Sequence, residues 1–194
     1  MRPSDVTDFG TLYGRNCAAC HGANGKFGAA LGLNNPVYLA IVDDESMRRV
    51  IAEGVPGTAM PPFAQSAGGD LTDRQVQIVV AGIRKSWAGS VDMAAGAPPY
   101  HSSETPDPAR GEQVYASRCQ SCHSVNGNDS RFAGSIVDPS YLSLVSNQYL
   151  RTIIIAGRPD LGHPDWRGSQ VTSREISDVV AWLASKRSSL FLYK

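Results

Sequence analysis

All four cysteines and two of the four histidines of this 194-residue chain fall into one pattern written twice: Cys17-Ala18-Ala19-Cys20-His21 and Cys119-Gln120-Ser121-Cys122-His123. Two thiols two residues apart can add to the two vinyl groups on one edge of a porphyrin. The histidine that follows is then carried beneath the iron, where a ring nitrogen can bind it. C-x-x-C-H is the attachment pattern of a covalently held c-type haem. A lone C-x-x-C also fits a dithiol redox pair or half of a zinc site. The zinc arrangement calls for two pairs some 15–20 residues apart. Here Cys20 and Cys119 are 99 apart. The redox pair has no need of a histidine after the second cysteine.

A c-type haem with a proximal histidine is defined by what binds its other face. After the first motif the candidate is Met60, in Gly57-Thr58-Ala59-Met60-Pro61-Pro62-Phe63, 39 residues beyond His21. Its thioether is a soft ligand, and the prolines stiffen the loop that would hold it over the iron. The plainer reading of Met60 is core filling. The matching stretch of the second half runs Gly157-Arg158-Pro159-Asp160-Leu161-Gly162-His163-Pro164. An offset of 103 lands on His163 where Met60 stood, with Pro164 after it as Pro61 follows Met60. Imidazole is a good iron ligand; a merely structural His163 is the alternative. No methionine follows Met93, so the second half has no Met ligand of its own. Methionine ligation raises the reduction potential of the iron, and a second imidazole leaves it lower. The expectation is a higher-potential haem on Cys17/Cys20 and a lower-potential one on Cys119/Cys122.

The elements that must position these residues also repeat. Tyr13 and Tyr115 match at an offset of 102; Asn35-Pro36-Val37-Tyr38-Leu39 and Asp138-Pro139-Ser140-Tyr141-Leu142 match at 103; Thr72-Asp73-Arg74 and Thr172-Ser173-Arg174 match at 100. Small changes of offset are loop-length changes. Each copy predicts a helix before the motif, over Asp5–Cys17 and Ala109–Cys119. A middle helix spans Asp44–Glu53 and Asn147–Ala156, with Gly54 and Gly157 placed for a left-handed terminal turn. A last helix follows Thr72 or Thr172 as N-cap. Its apolar stripe is Val76, Val79, Val80 and Ile83 in one copy and Ile176, Val179, Val180 and Leu183 in the other. No stretch alternates with a strand period. The fold class is all-α: a domain over 1–87, a Pro/Gly-rich linker over 88–108 and a second domain over 109–194. A helical domain of this size has a thin core, which a porphyrin would fill out.

His101 lies in the linker and is expected to be solvated, with an outside ligand to one haem as the alternative. Arg48, Arg49, Arg151 and Arg158 are each expected on a solvated surface, the alternative being a pairing with haem propionates. Trp166 and Trp182 could pack on the second haem and Phe63 on the first, or simply fill the core.

Lys plus Arg equals Asp plus Glu at 18 each, which leaves no basic excess for nucleic acid. No run of eighteen apolar residues occurs, so no transmembrane segment is predicted. The polar start Met1-Arg2-Pro3-Ser4-Asp5 lacks the apolar core of a signal peptide. A c-type haem is normally attached outside the cytoplasm. The chain is therefore expected to be periplasmic or otherwise extracytoplasmic, with a leader or membrane anchor absent from this sequence.

On the two C-x-x-C-H motifs, the Met60-Pro61-Pro62 loop and the first and last helices of each half, the chain resembles the class I cytochrome c family. The resemblance is to its tandem di-haem form, with domains similar to those of cbb3-oxidase cytochrome subunits. It covers both halves and leaves out only the linker. It implies two covalently bound haem c groups and an electron shuttle, or an electron-entry subunit, working with redox partner proteins. Two departures stand out. Many relatives carry a proline soon after the motif whose carbonyl bonds the proximal histidine; Gly28-Ala29-Ala30-Leu31 and Arg131-Phe132-Ala133-Gly134 have none, and Pro36 and Pro139 come later. His163 stands where the family usually has methionine. The rivals are a di-haem redox enzyme, thiosulfate dehydrogenase-like or peroxidase-like, and a haem-based ligand sensor. The first of these uses an extra cysteine, which this chain lacks; a peroxidase needs an open iron position.

Overall fold

Proline and short polar side chains punctuate this chain into short helices, and the two halves run through similar series, the second with one more α-helix among the described residues. The computed structural model describes residues 2–93, 96–125 and 134–187. Its described residues are helical, with only isolated bridges and no strand. In the first half the helices are α1 (Phe9–Asn16), α2 (Ala18–His21), α3 (Pro36–Ile41), α4 (Asp44–Glu53) and α5 (Asp73–Trp87). In the second they are α6 (Pro108–Val114), α7 (Gln120–His123), α8 (Pro139–Leu144), α9 (Asn147–Ala156), α10 (Trp166–Ser169) and α11 (Ser173–Ser185). A π-helical stretch, Tyr115–Cys119, carries α6 into the second motif.

The chain divides into two compact units. The first takes in the described parts of Met1–Pro56 and Met60–Gly96, together with the segment Arg158–His163. The second takes in Gly57–Ala59, Ala97–Gly157 and the described part of Pro164–Lys194.

In the first unit α1 packs on α5. A Cβ on Gly82 would lie 2.1 Å from the Phe9 ring, so the helices meet with an aromatic from α1 seated on a bare patch of α5. Tyr13 and Trp87 extend this cluster, 5.0 Å between ring centroids. In the second unit α6 packs along α11. A Cβ on Gly111 would lie 2.1 Å from the Asp178 carbonyl oxygen and 2.8 Å from Trp182 Cβ. Trp182 stacks on Tyr115 at 4.5 Å. The apolar stripe expected on the last helices is buried in both: Val76, Val79, Val80 and Ile83, and Ile176, Val179, Val180 and Leu183.

The capping chemistry explains most boundaries. Thr72 with Gln75, and Thr172 with Glu175, form reciprocal boxes that satisfy the first amides of α5 and α11. The first helix begins later than expected. Pro3–Asp5 makes a separate 3-10 turn, and the Asp8 carboxylate accepts from the Thr11 amide to start α1 at Phe9. Helices α3 and α8 were not expected. Each is announced by Asn35 or Asp138 as N-cap with proline at the first helical position. Their C-terminal carbonyls are closed by Arg84 of α5 and by Arg187, two residues past the end of α11. Arg84 donates to the Leu39 and Val42 carbonyls and to Asp44. Arg187 donates to the Leu142 and Val145 carbonyls, each at 3.0 Å, and to Asn147.

Much of the stretch read as a linker packs on the second unit rather than standing off it. Arg151 of α9 donates to the Pro99 and Tyr100 carbonyls and to the Ser173 and Ser177 hydroxyls. Ser102 bonds Ser177, and the Asp107 amide donates to Asp178. Arg151 is therefore buried, not solvated as expected, because its guanidinium is the clip that fastens residues 99 and 100.

Candidate metal centres

Each C-x-x-C-H motif folds as one helical turn. Cys17 caps α2 with helical backbone angles, and Cys20 and His21 follow three and four residues on. Positions i, i+3 and i+4 share one helix face, so both thiols and the imidazole present to one side. Cys119, Cys122 and His123 repeat this on α7. Tyr13 donates its hydroxyl proton to the Gly22 carbonyl, 2.8 Å away, tying α1 to the end of the first motif. Tyr115 does the same with the His123 and Ser124 carbonyls, at 3.0 and 2.7 Å.

The first motif passes a direct test of fit for iron. His21 Nδ1 lies 2.7 Å from the Leu31 carbonyl oxygen. A carbonyl only accepts, so Nδ1 carries the proton and the lone pair sits on Nε2, the nitrogen a metal would use. Burial lowers the His21 pKa, which keeps the ring neutral as a ligand must be. The carbonyl that relatives draw from a proline thus comes from Leu31. No side-chain signal in the sequence marks it, because any residue supplies a carbonyl; what matters is the turn of 22–31 that delivers it. The corresponding stretch 131–133 lies outside the described residues. The His123 pKa is also lowered by burial.

The thiols do not suit the dithiol redox reading. Burial pushes both Cys17 and Cys119 up to about 11. A redox-active pair depends on a thiol whose pKa is depressed. Among the described residues no cluster of three or more His, Cys, Asp or Glu side chains could hold a metal ion alone. A four-ligand zinc site has no ligand set there. Thioether attachment at Cys17/Cys20 and Cys119/Cys122, with His21 and His123 as proximal ligands, fits the residues present.

The loops that carry Met60 and His163 are bonded alike. The Val55 amide donates to the Met60 carbonyl at 2.9 Å. At the equivalent residues the Arg158 amide donates to the His163 carbonyl at 3.1 Å, and the His163 amide returns a bond to the Arg158 carbonyl at 3.0 Å. Gly54 and Gly157 start these loops with φ of 67° and 66°. Their ψ of −166° and −175° is extended, which corrects the expected left-handed turn. The reason is close approach: a Cβ on Gly54 would sit 2.7 Å from the Met60 carbonyl oxygen and 2.6 Å from the Pro61 carbonyl carbon. Met60 and His163 are both half-buried.

The first unit brings Cys17, Cys20, His21 and Met60 together in one compact body. The second holds Cys119, Cys122 and His123, whereas the segment ending in His163 packs with the first. His101 is exposed, as expected, with Nδ1 3.2 Å from the Gln148 side-chain oxygen. Arg48 is half-buried and pairs with Glu45 at 2.7 Å. Arg158 is buried, against expectation, and binds Asp160 at 2.8 Å. Trp166 and Trp182 are buried and Phe63 is half-buried. Among the described residues no helix is long and apolar enough to cross a membrane.

Comparison with known proteins agrees with this organisation. The family model for cytochrome C oxidase, cbb3-type, subunit III, matches twice, over residues 4–81 and 106–183. The cbb3-type cytochrome c oxidase subunit FixP of Sinorhizobium medicae (strain WSM419) is 31% identical over 134 residues, covering 64% of this chain and 41% of that protein. The chain thus spans less than half the length of this relative. Among solved structures, the reducing HAO-like protein complex Kustc0457/Kustc0458 of Kuenenia stuttgartiensis matches with a TM-score of 0.53 at 19% identity, over 97% of this chain and 99% of that one. At that identity the likeness speaks for the fold alone.

Proposed function

From the chain's membership of the cbb3-type cytochrome c oxidase subunit III family, in tandem form and with two covalently bound haem c groups, we propose that it moves electrons between redox partner proteins through two irons of different ligation. His21 and Met60 would hold the first, and His123 and His163 the second. Each haem, when bound, supplies a one-electron ferric/ferrous couple. The chain's residues do the rest. Leu31 fixes the His21 tautomer, Tyr13 and Tyr115 hold the motif turns, and the loops after Gly54 and Gly157 carry the distal ligands.

The observation that supports unequal ligation is the shared bonding of the two loops. Val55 to Met60 and Arg158 to His163 are the same backbone bond at the same place in the repeat. A thioether at one and an imidazole at the other make the first couple the more positive. With both haems bound, that difference would favour electron movement from the second site to the first. Met60 and His163 would take up the positions at which a substrate could bind iron, which favours a carrier over a peroxidase or a sensor. Covalent attachment of c-type haem points to an extracytoplasmic site of action, and the family points to a respiratory assembly. The donor and acceptor are redox proteins.

Absorption of the oxidised protein tests this reading. The unmodified chain is expected to show one sulfur-to-iron band per two haems. Met60→Ala removes it, and His163→Met doubles it. Carbon monoxide added to the reduced protein binds little. A band that survives Met60→Ala, or binding of carbon monoxide to one haem per chain, overturns the ligand assignment.

A further inference from the structure

The Arg158–Asp160 pair stands over the loop that orients His21, and nothing described so far requires it there. The guanidinium donates to the Ala30 carbonyl at 2.7 Å and to the Gly28 carbonyl at 3.0 Å. Its Nε and second terminal nitrogen bind the Asp160 carboxylate at 2.9 and 2.8 Å. Asp160 in turn accepts from the Phe27 amide at 2.7 Å. A Cβ on Gly32 would lie 3.4 Å from Arg158 Nε, so the side chain runs close along residues 28–32. Ala30 also donates its amide to the Cys20 carbonyl at 2.9 Å, and Leu31 bonds His21. All of these residues belong to the first compact unit. The side chains of the pair are 8% and 3% exposed, so water screens the two charges poorly.

The repeat makes the pair more telling. At the equivalent positions the first half has Val55 and Gly57, which cannot form an ion pair. The segment Arg158–His163 has therefore acquired two opposite charges that its counterpart lacks, and both are spent on the loop of the first motif.

We propose that the buried Arg158–Asp160 pair sets the reduction potential of the haem bound at Cys17, Cys20 and His21, by placing a fixed cation and a fixed anion against the loop that holds His21. An electron arriving at that site lowers its charge by one. A nearby cation favours the reduced form and a nearby anion the oxidised form. In the intact pair the two effects largely offset. Removing either partner uncovers the other in a site with little solvent screening. Both residues act through charge and through the loop, as positioning residues, without touching iron.

This inference deepens the electron-transfer reading and rests on it, and its test separates the two. Arg158→Gln and Asp160→Asn are made singly and together in the full chain carrying both haems. Both midpoints are followed optically through a redox titration, and the sulfur-to-iron band is recorded in parallel. Arg158→Gln is expected to lower the midpoint that the sulfur-to-iron band follows and Asp160→Asn to raise that same one; a shift confined to the other midpoint overturns the proposal. The other midpoint moves less, because residue 158 keeps its backbone bonds to His163 in both variants, and the double variant returns towards the unmodified value. Arg158→Lys keeps the charge and shifts the midpoint less than Arg158→Gln. Should Arg158→Gln fail to fold, Asp160→Asn and Arg158→Lys still carry the sign test. Shifts of the same sign in the two single variants would mean general loosening and overturn the proposal. So would unmoved midpoints, or two midpoints moving equally. Absence of the sulfur-to-iron band in the unmodified protein defeats the ligand assignment instead, whatever the shifts.

Discussion

The two halves solve the same packing problems with the same kinds of residue placed differently. In the first, an aromatic from the first helix, Phe9, sits on Gly82 of the last. In the second the partners have exchanged sides: Gly111 of the first helix faces Trp182 of the last. Phe9 and Gly111 are equivalent in the repeat, as are Gly82 and Trp182. The tryptophan–arginine order along and just past the last helix is exchanged too. Arg84 precedes Trp87 by three residues, whereas Trp182 precedes Arg187 by five. Yet Arg84 and Arg187 close the same carbonyls of α3 and α8. The crossing needs one large and one absent side chain; it does not matter which helix supplies which. The motif turns and ligand loops tolerate no such exchange, because their backbone bonds must deliver particular atoms. At the shared loop position the residue differs, Met60 against His163, and Arg158 and Asp160 stand where the first half has Val55 and Gly57.

The largest break in this comparison is expected at Met60 and His163. His163→Met should raise the lower midpoint towards the upper one, and Met60→His should lower the upper towards the lower, each read by redox titration with both haems attached. A variant pair that leaves the gap unchanged would mean these side chains are not on iron.

The helix crossings come next. Gly111→Ala places a methyl group against the Asp178 backbone, which cannot swing away, and against Trp182. A loss of about 3 kcal/mol is expected on denaturant unfolding followed by circular dichroism. Gly82→Ala meets only the Phe9 ring, which can shift, and should cost about 1 kcal/mol. Equal losses would show that the two crossings are not packed as described.

Ser124 sharpens the contrast between the motif turns. It occupies φ 66°, ψ 169°, a conformation suited to glycine, and its counterpart in the first half is Gly22. Ser124→Gly should stabilise the protein by about 1 kcal/mol in the same unfolding assay. A destabilisation would mean the Ser124 side chain contributes more than its backbone costs.

The smallest effect is one of pH. The bonds from Arg158 hold the Asp160 carboxyl down to about 2, against an ordinary value of 3.8. A carboxylate whose folded pKa is lowered adds stability above its unfolded value, and that stability drains away as pH falls through the folded one. The stability difference between the unmodified chain and Asp160→Asn should therefore hold at neutral pH, narrow below about pH 4 and vanish near pH 2. A difference that grows on acidification would contradict it.

The sequence read the repeat, the helices α4 and α9 and the buried stripes of α5 and α11 correctly because these follow from local period and capping. Helices α3 and α8 were within reach, since Asn35-Pro36 and Asp138-Pro139 are an N-cap followed by proline. The tilt of the Gly54 loop was not. Its positive φ was foreseeable from glycine, but the extended ψ is imposed by the close passage of Met60 and Pro61, a contact distant from the local pattern. Arg151 and Arg158 were misplaced on the surface for a related reason. Their partners are mostly backbone carbonyls, at Pro99, Tyr100, Gly28 and Ala30, and a carbonyl leaves no trace in residue identity. Leu31 as the partner of His21 was hidden in the same way.

A redox titration of the unmodified, fully loaded protein bears most directly on the claim that sulfur serves one iron and imidazole the other. Two one-electron waves are predicted, with clearly separated midpoints, the sulfur-to-iron band disappearing with the more positive one. A single pair of coincident midpoints, or a band that follows the more negative wave, would contradict it.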